Sequence, residues 1–238
     1  MRSKLSGIDR RLAIGLGLLS VSAVVFIGAI VGIVMALGES NANLPNEGSI
    51  DQIIAESTDG TPLATPQAVP QAVPLPPPPT RLVVPRLYID APIITMSLDS
   101  GGTPQVPDRP DQVAWYDFSY RPGQINNAVF SGHVDWQTRS GAPIQGVFYR
   151  LRELEIGDLI AITREDGNEL RYRVTGNVAT AYDDPNIVKA MGSTSKEAVT
   201  LITCGGTWLI DRREEYGGKY SHRIVVRAER VVDPVAGG

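Results

Sequence analysis

A mainly β fold, a closed barrel or a sandwich, is what residues 81–233 of this chain predict. Short apolar, β-branched runs alternate there with Gly, Pro, Asp and Asn, and helical texture is confined to two brief stretches. Many short strands with little helix favour closure, which removes exposed strand edges. The strands expected are Arg81–Ile89, Ala128–Ser131, Asp158–Thr163, Glu169–Val178, Val199–Thr203 and Arg223–Val232. Asp166-Gly167, between two such runs, is a hairpin turn signal. The helical stretches are a turn or two at Val147–Leu151 and a short piece around Ile187–Ala198, interrupted at Gly192.

Residues 12–37 form a run without Asp, Glu, Lys or Arg. As a helix it spans ~39 Å, more than the hydrocarbon core of a bilayer. A cleaved signal peptide normally has a shorter apolar region, so an uncleaved anchor is expected. Arg2, Lys4, Arg10 and Arg11 precede the run, and Glu39 and Glu47 are the first charges after it. The positive-inside bias therefore places residues 1–11 in the cytoplasm and everything after residue 37 outside the cell membrane. Residues 38–80 are first polar and then proline-rich, with Gln-Ala-Val-Pro repeated and four prolines at Pro76–Pro79. Such a tract lacks amide donors and apolar mass, and is expected to be an extracytoplasmic spacer. The remaining residues suit one folded domain, 81–233, with a tail at 234–238.

A formal net charge of −4 carries no basic footprint, which argues against nucleic acid as a partner. One cysteine and two histidines, Cys204, His133 and His222, are too few and too scattered for a structural zinc site. A carboxylate calcium site is not excluded, but no loop has the EF-hand pattern. No cofactor and no metal ligand set is expected.

A lone cysteine cannot staple its own domain. In an exported protein it points to intermolecular pairing or to a reactive nucleophile. Cys204 ends the run Ala198-Val-Thr-Leu-Ile-Thr-Cys204, just before Gly205 and Gly206. A thiol attacks only as thiolate, so it needs a proton acceptor and a positive neighbour. His133, in Ser131-Gly-His-Val-Asp135 at the end of a strand-like run, is the candidate for the first; His222 reads as a loop or structural residue. In the last strand, alternation places Ile224, Val226 and Ala228 on one face and Arg223, Val225 and Arg227 on the other. An arginine there could offer donors to an acyl oxyanion, but parity does not choose between Arg223 and Arg227.

In this order the pieces resemble the sortases, the cysteine transpeptidases of bacterial surfaces. Thr200-Leu-Ile-Thr-Cys204 resembles the family's cysteine strand, Ser131-Gly-His-Val-Asp135 its histidine motif and Arg223-Ile-Val-Val its arginine strand. Val84–Pro92, Val113-Ala-Trp-Tyr with Pro122-Gly123, and Phe148–Asp158 match further segments. The Gly205-Gly206 pair looks most like class F, with class E second. The resemblance implies an eight-stranded sortase barrel and a two-step acyl transfer, with Cys204 as nucleophile, His133 as general acid and base, and Arg223 stabilising the oxyanion. Partners would be exported proteins bearing a C-terminal Leu-Pro-x-Thr-Gly-like sorting signal and an amine acceptor on the cell wall or a surface protein. The interval from Cys204 to Arg223, with its charged insert Asp211–Glu215, is long for the family.

Two other readings of the same residues compete. One is a stalked, non-catalytic binding or scaffold module in which Cys204 is a buried small hydrophobe. The other is a different cysteine hydrolase. An L,D-transpeptidase is disfavoured because its Gly-Cys-Arg type of motif is absent.

Overall fold

The structure is a computed structural model that describes residues 50–55, 74–138, 142–213 and 217–232. The anchor expected at residues 12–37 lies outside the described residues, and no helix among those described is long and apolar enough to cross a membrane. Ten strands are described: β1 (Pro79–Val84), β2 (Ile89–Met96), β3 (Val113–Tyr116), β4 (Asn126–Gly132), β5 (Asp135–Gln137), β6 (Pro143–Gln145), β7 (Leu159–Arg164), β8 (Glu169–Ala181), β9 (Glu197–Ile210) and β10 (Gly218–Arg230). Eight of them close a barrel in the order β1-β2-β3-β4-β9-β10-β8-β7, while β5 and β6 pair as a separate ribbon. The barrel is the architecture expected from the sequence, and the sandwich alternative falls away.

Alternation fills the barrel. Leu82 and Val84 of β1, Leu170, Tyr172 and Val174 of β8, Val199 and Leu201 of β9, and Ile224, Val226 and Ala228 of β10 all enter one buried cluster with Phe130 and Phe148. Phe148 is fully buried beneath the β4 end, and a Cβ placed on Gly132 would lie 2.8 Å from its ring. Phe148→Ala is therefore expected to cost about 3–5 kcal/mol, read as a lower midpoint in urea unfolding.

Three differences from the sequence reading have local causes. Arg81–Ile89 is two strands, because Pro85–Leu87 forms a 3-10 turn that ends on Tyr88 with φ 56. No glycine marks that left-handed corner. β3, β5 and β6 are too short to show a period of two. Arg227, which parity left as an alternative to Arg223, is buried, 1% exposed.

Two short helices explain that burial. Ile50–Ala55 and Ile187–Met191 lie on the outer face of the barrel, where Ile50, Ile53 and Ala190 pack with Val178 and Val225. Thr175 is an extra residue between the pairs Val174–Ala228 and Gly176–Arg227. This bulge switches the face of β8, so that Val174 points into the barrel and Val178 points out. Arg227 Nη2 donates to the Ala190 carbonyl at 2.9 Å, and burial lowers the guanidinium's pKa. Ile50–Ala55 falls inside the segment read as a spacer, yet it packs on the barrel; the apolar pair Ile50 and Ile53 supplies the contact.

Candidate active site

The parallel ladder of β4 and β9 brings the expected residues to one rim. Its last matched pair is Ser131–Ile202, and one step on the Thr203 hydroxyl donates to the Gly132 carbonyl at 2.8 Å. The next residue on each chain is His133 and Cys204. On the other side of β9, the antiparallel ladder sets Arg223 directly opposite Cys204. Paired residues share a face, and Arg223 Nη1 donates to Cys204 Sγ at 3.1 Å. Arg227 is four residues further along β10, opposite Thr200. The structure thus separates the two arginines that parity left equivalent.

The guanidinium is held from its other side by Tyr182, whose ring lies 4.2 Å from Arg223 Cζ. Tyr182 follows β8 directly, and its amide donates to the Ser221 carbonyl at 2.9 Å. His133 is fixed differently. Its Nε2 donates to the Pro107 carbonyl at 2.6 Å, and its ring meets Trp136 edge-on at 4.9 Å. Its own carbonyl accepts from the Phe148 amide at 2.9 Å, and a Cβ on Gly146 would lie 2.3 Å from that oxygen. Only glycine allows so close an approach of the two backbones.

Past Cys204 the chain bulges. Tyr220 pairs with Trp208 and His222 with Gly205, so two β9 residues face one on β10, and Gly206 takes φ +78. A Cβ at Gly206 would come within 2.6 Å of His222 Nδ1. That nitrogen lies 2.7 Å from the Ser221 hydroxyl, which accepts from the Thr207 amide at 2.9 Å. His222 is thereby engaged with the hairpin.

The electrostatics oppose a free thiolate. Burial raises the Cys204 thiol pKa above its ordinary value, the Arg223 charge pulls it down, and Asp135 raises it again. Removing Arg223 takes away the positive charge that favours the thiolate. Arg223→Ala is expected to move the pH dependence of Cys204 alkylation by iodoacetamide to higher pH; an unmoved profile would contradict this.

Pro107, Trp136, Tyr182 and Tyr220 at this rim were not reached from the sequence. Asp135 was visible only as the last residue of the histidine motif. A groove of ≈ 620 Å³ lined by Leu75, Trp115, Phe118, Tyr120 and Arg121 lies elsewhere, at the start of β4, where Arg121 Nη1 donates to the Pro76 carbonyl at 2.7 Å. It contains none of the candidate residues. Among the described residues no group of three His, Cys, Asp or Glu side chains could hold a metal ion.

The closed barrel holds a thiol and a guanidinium in contact at one rim, with His133 just past the end of the neighbouring strand. The sortase domain model matches residues 82–231, and the chain belongs to the sortase family, whose members are cysteine transpeptidases. Comparison with curated proteins gave no significant match. Among solved structures the chain is similar to a Clostridium perfringens sortase D5 transpeptidase, with 17% identity, 65% of this chain and 79% of the other covered, and a TM-score of 0.45. It is also similar to sortase C-1 of Actinomyces oris, with 24% identity, coverage of 65% and 72%, and a TM-score of 0.46. A lid mutant of Streptococcus agalactiae sortase C1 follows at 20% identity, coverage of 66% and 71%, and a TM-score of 0.46. Family membership rests on the domain match.

Proposed function

We propose that this transpeptidase cleaves a Leu-Pro-x-Thr-Gly-like sorting signal on exported proteins and passes the acyl group to an amine or to water. The observation that carries the residue roles is the 3.1 Å contact of Arg223 Nη1 with Cys204 Sγ, at the rim that β4 and β9 share with His133. Cys204 thiolate adds to the threonyl carbonyl, and the oxyanion that forms is met by the Arg223 guanidinium. The C–N bond then breaks, and His133 imidazolium gives its proton to the departing amine, leaving a thioester on Sγ. In the second step the acceptor amine attacks the thioester, neutral His133 takes its proton, and Cys204 leaves as thiolate. Arg223→Ala is expected to lower kcat/KM about 10²–10³-fold, as loss of an oxyanion donor does.

The glycine pair after Cys204 supports class F, with class E as the second choice. The charge-free run at 12–37 and the basic residues before it support a single-pass anchor with the barrel outside the cell. The test is incubation of the full-length chain with a library of Leu-Pro-x-Thr-Gly-form peptides and a glycine-peptide acceptor. Expected products are peptides cut after threonine and joined to glycine or hydrolysed. No cleavage across the library would refute the substrate assignment. Alkaline carbonate extraction tests the anchor, which predicts that the chain stays with the membrane pellet.

A further inference from the structure

Asp135 opens β5 two residues after His133, and the hydroxyl of Tyr220, on β10, donates to its Oδ2. The β5–β6 ribbon shares no ladder with the barrel, and this side-chain bond ties it directly to β10. That position matters to the imidazole. Trp136, the next residue of the ribbon, packs edge-on against His133, and Gly146, just past β6, closes on the His133 carbonyl. Tyr220 is itself well placed to hold the ribbon: it is 8% exposed and its ring meets Trp208 at 5.1 Å, with 74° between the planes.

We propose that Asp135 and Tyr220 are a positioning pair for the transfer reaction, tying the loop that carries His133 to the hairpin that follows Cys204. The pair touches no reacting atom; it acts through His133 and through the charge it presents to the thiol. This rests on the roles given above to Cys204 and His133. Burial and the Asp135 carboxylate hold the Tyr220 hydroxyl protonated well beyond neutral pH, so it is a lasting donor. The groups that face the thiol are Arg223 from β10, which favours the thiolate, Asp135 from β5, which opposes it, and Tyr220, whose hydrogen bond quiets the Asp135 charge.

The two members can be separated. Tyr220→Phe removes the donor and leaves the carboxylate, whereas Asp135→Asn keeps an acceptor for the hydroxyl and removes the charge. On the full-length chain, the pH dependence of Cys204 alkylation by iodoacetamide is expected to move to lower pH in Asp135→Asn and to higher pH in Tyr220→Phe. A bond that merely braced the fold would lower the melting temperature of both and give no shifts of opposite sign. With a cleavable peptide, Tyr220→Phe is expected to lower kcat about 10-fold while KM changes less than about 2-fold, the pattern of a displaced catalytic group. Unshifted profiles, shifts of the same sign, or a Tyr220→Phe enzyme with full kcat would overturn the proposal. Alkylation needs no peptide, so a chain that turns over no sorting signal would refute the substrate assignment while the pair is still judged by its profiles.

Discussion

Cys204→Ala is expected to leave a folded protein with no measurable cleavage or transfer of sorting-signal peptides. Cys204 is the only thiol in the chain, so no second sulfur can take its place. The Ser221 hydroxyl, in the same hairpin, lies against His222 and the Thr207 amide, where it serves the β9 bulge. Removing a nucleophile leaves only binding and oxyanion contacts, so a loss of ~10⁴-fold or more in kcat is expected. The fold should survive, because Cys204 is only half-buried and the ladder around it is made by backbone. The check is peptide cleavage by chromatography beside a thermal melt. In cells, the exported substrate should accumulate with its C-terminal signal uncut. A variant with normal processing would favour the scaffold reading.

His133→Ala is expected to lower kcat about 10²–10⁴-fold, the range for loss of a general acid–base group. The geometry offers a sharper variant. His133 Nε2 donates to the Pro107 carbonyl, and a glutamine amide can make that bond without carrying a proton between amines. His133→Gln should therefore be as inactive as His133→Ala while keeping more of the stability. If the imidazole only pinned the Ser97–Gln112 connection through Pro107, glutamine would restore activity.

How much of this was readable beforehand follows from which contacts are local. The strand carrying Cys204 showed itself as a near-continuous apolar, β-branched run, because both of its faces are covered: Val199 and Leu201 inside the barrel, Ala198 and Thr200 outside the barrel cluster but equally buried. The inward face of β10 was legible from alternation. Arg223 and Arg227 share a parity, however, and what separates them is distant in sequence. One meets Cys204 across the ladder, and the other is covered by Ile187–Met191. The covering helix Ile50–Ala55 lies in a polar segment with only three isoleucines, Ile50, Ile53 and Ile54, to mark it. The Tyr220–Asp135 bond joins residues 85 apart, and nothing in either neighbourhood announces the other. Tyr182 is equally silent, since its contact with Arg223 depends on how β8 ends. The expectation that a long insert follows Cys204 resolves into an extension of β9 and β10 beyond the barrel, reaching Ile210 and Gly218.

The central claim is that one sulfur carries an acyl group between two amines. Intact-mass spectrometry of the full-length chain after mixing with sorting-signal peptides tests it most directly. The account predicts an adduct equal to the peptide up to its threonine, located on Cys204, released by hydroxylamine and absent from Cys204→Ala. Peptide cleavage with no such adduct, or an adduct on any other residue, would contradict it.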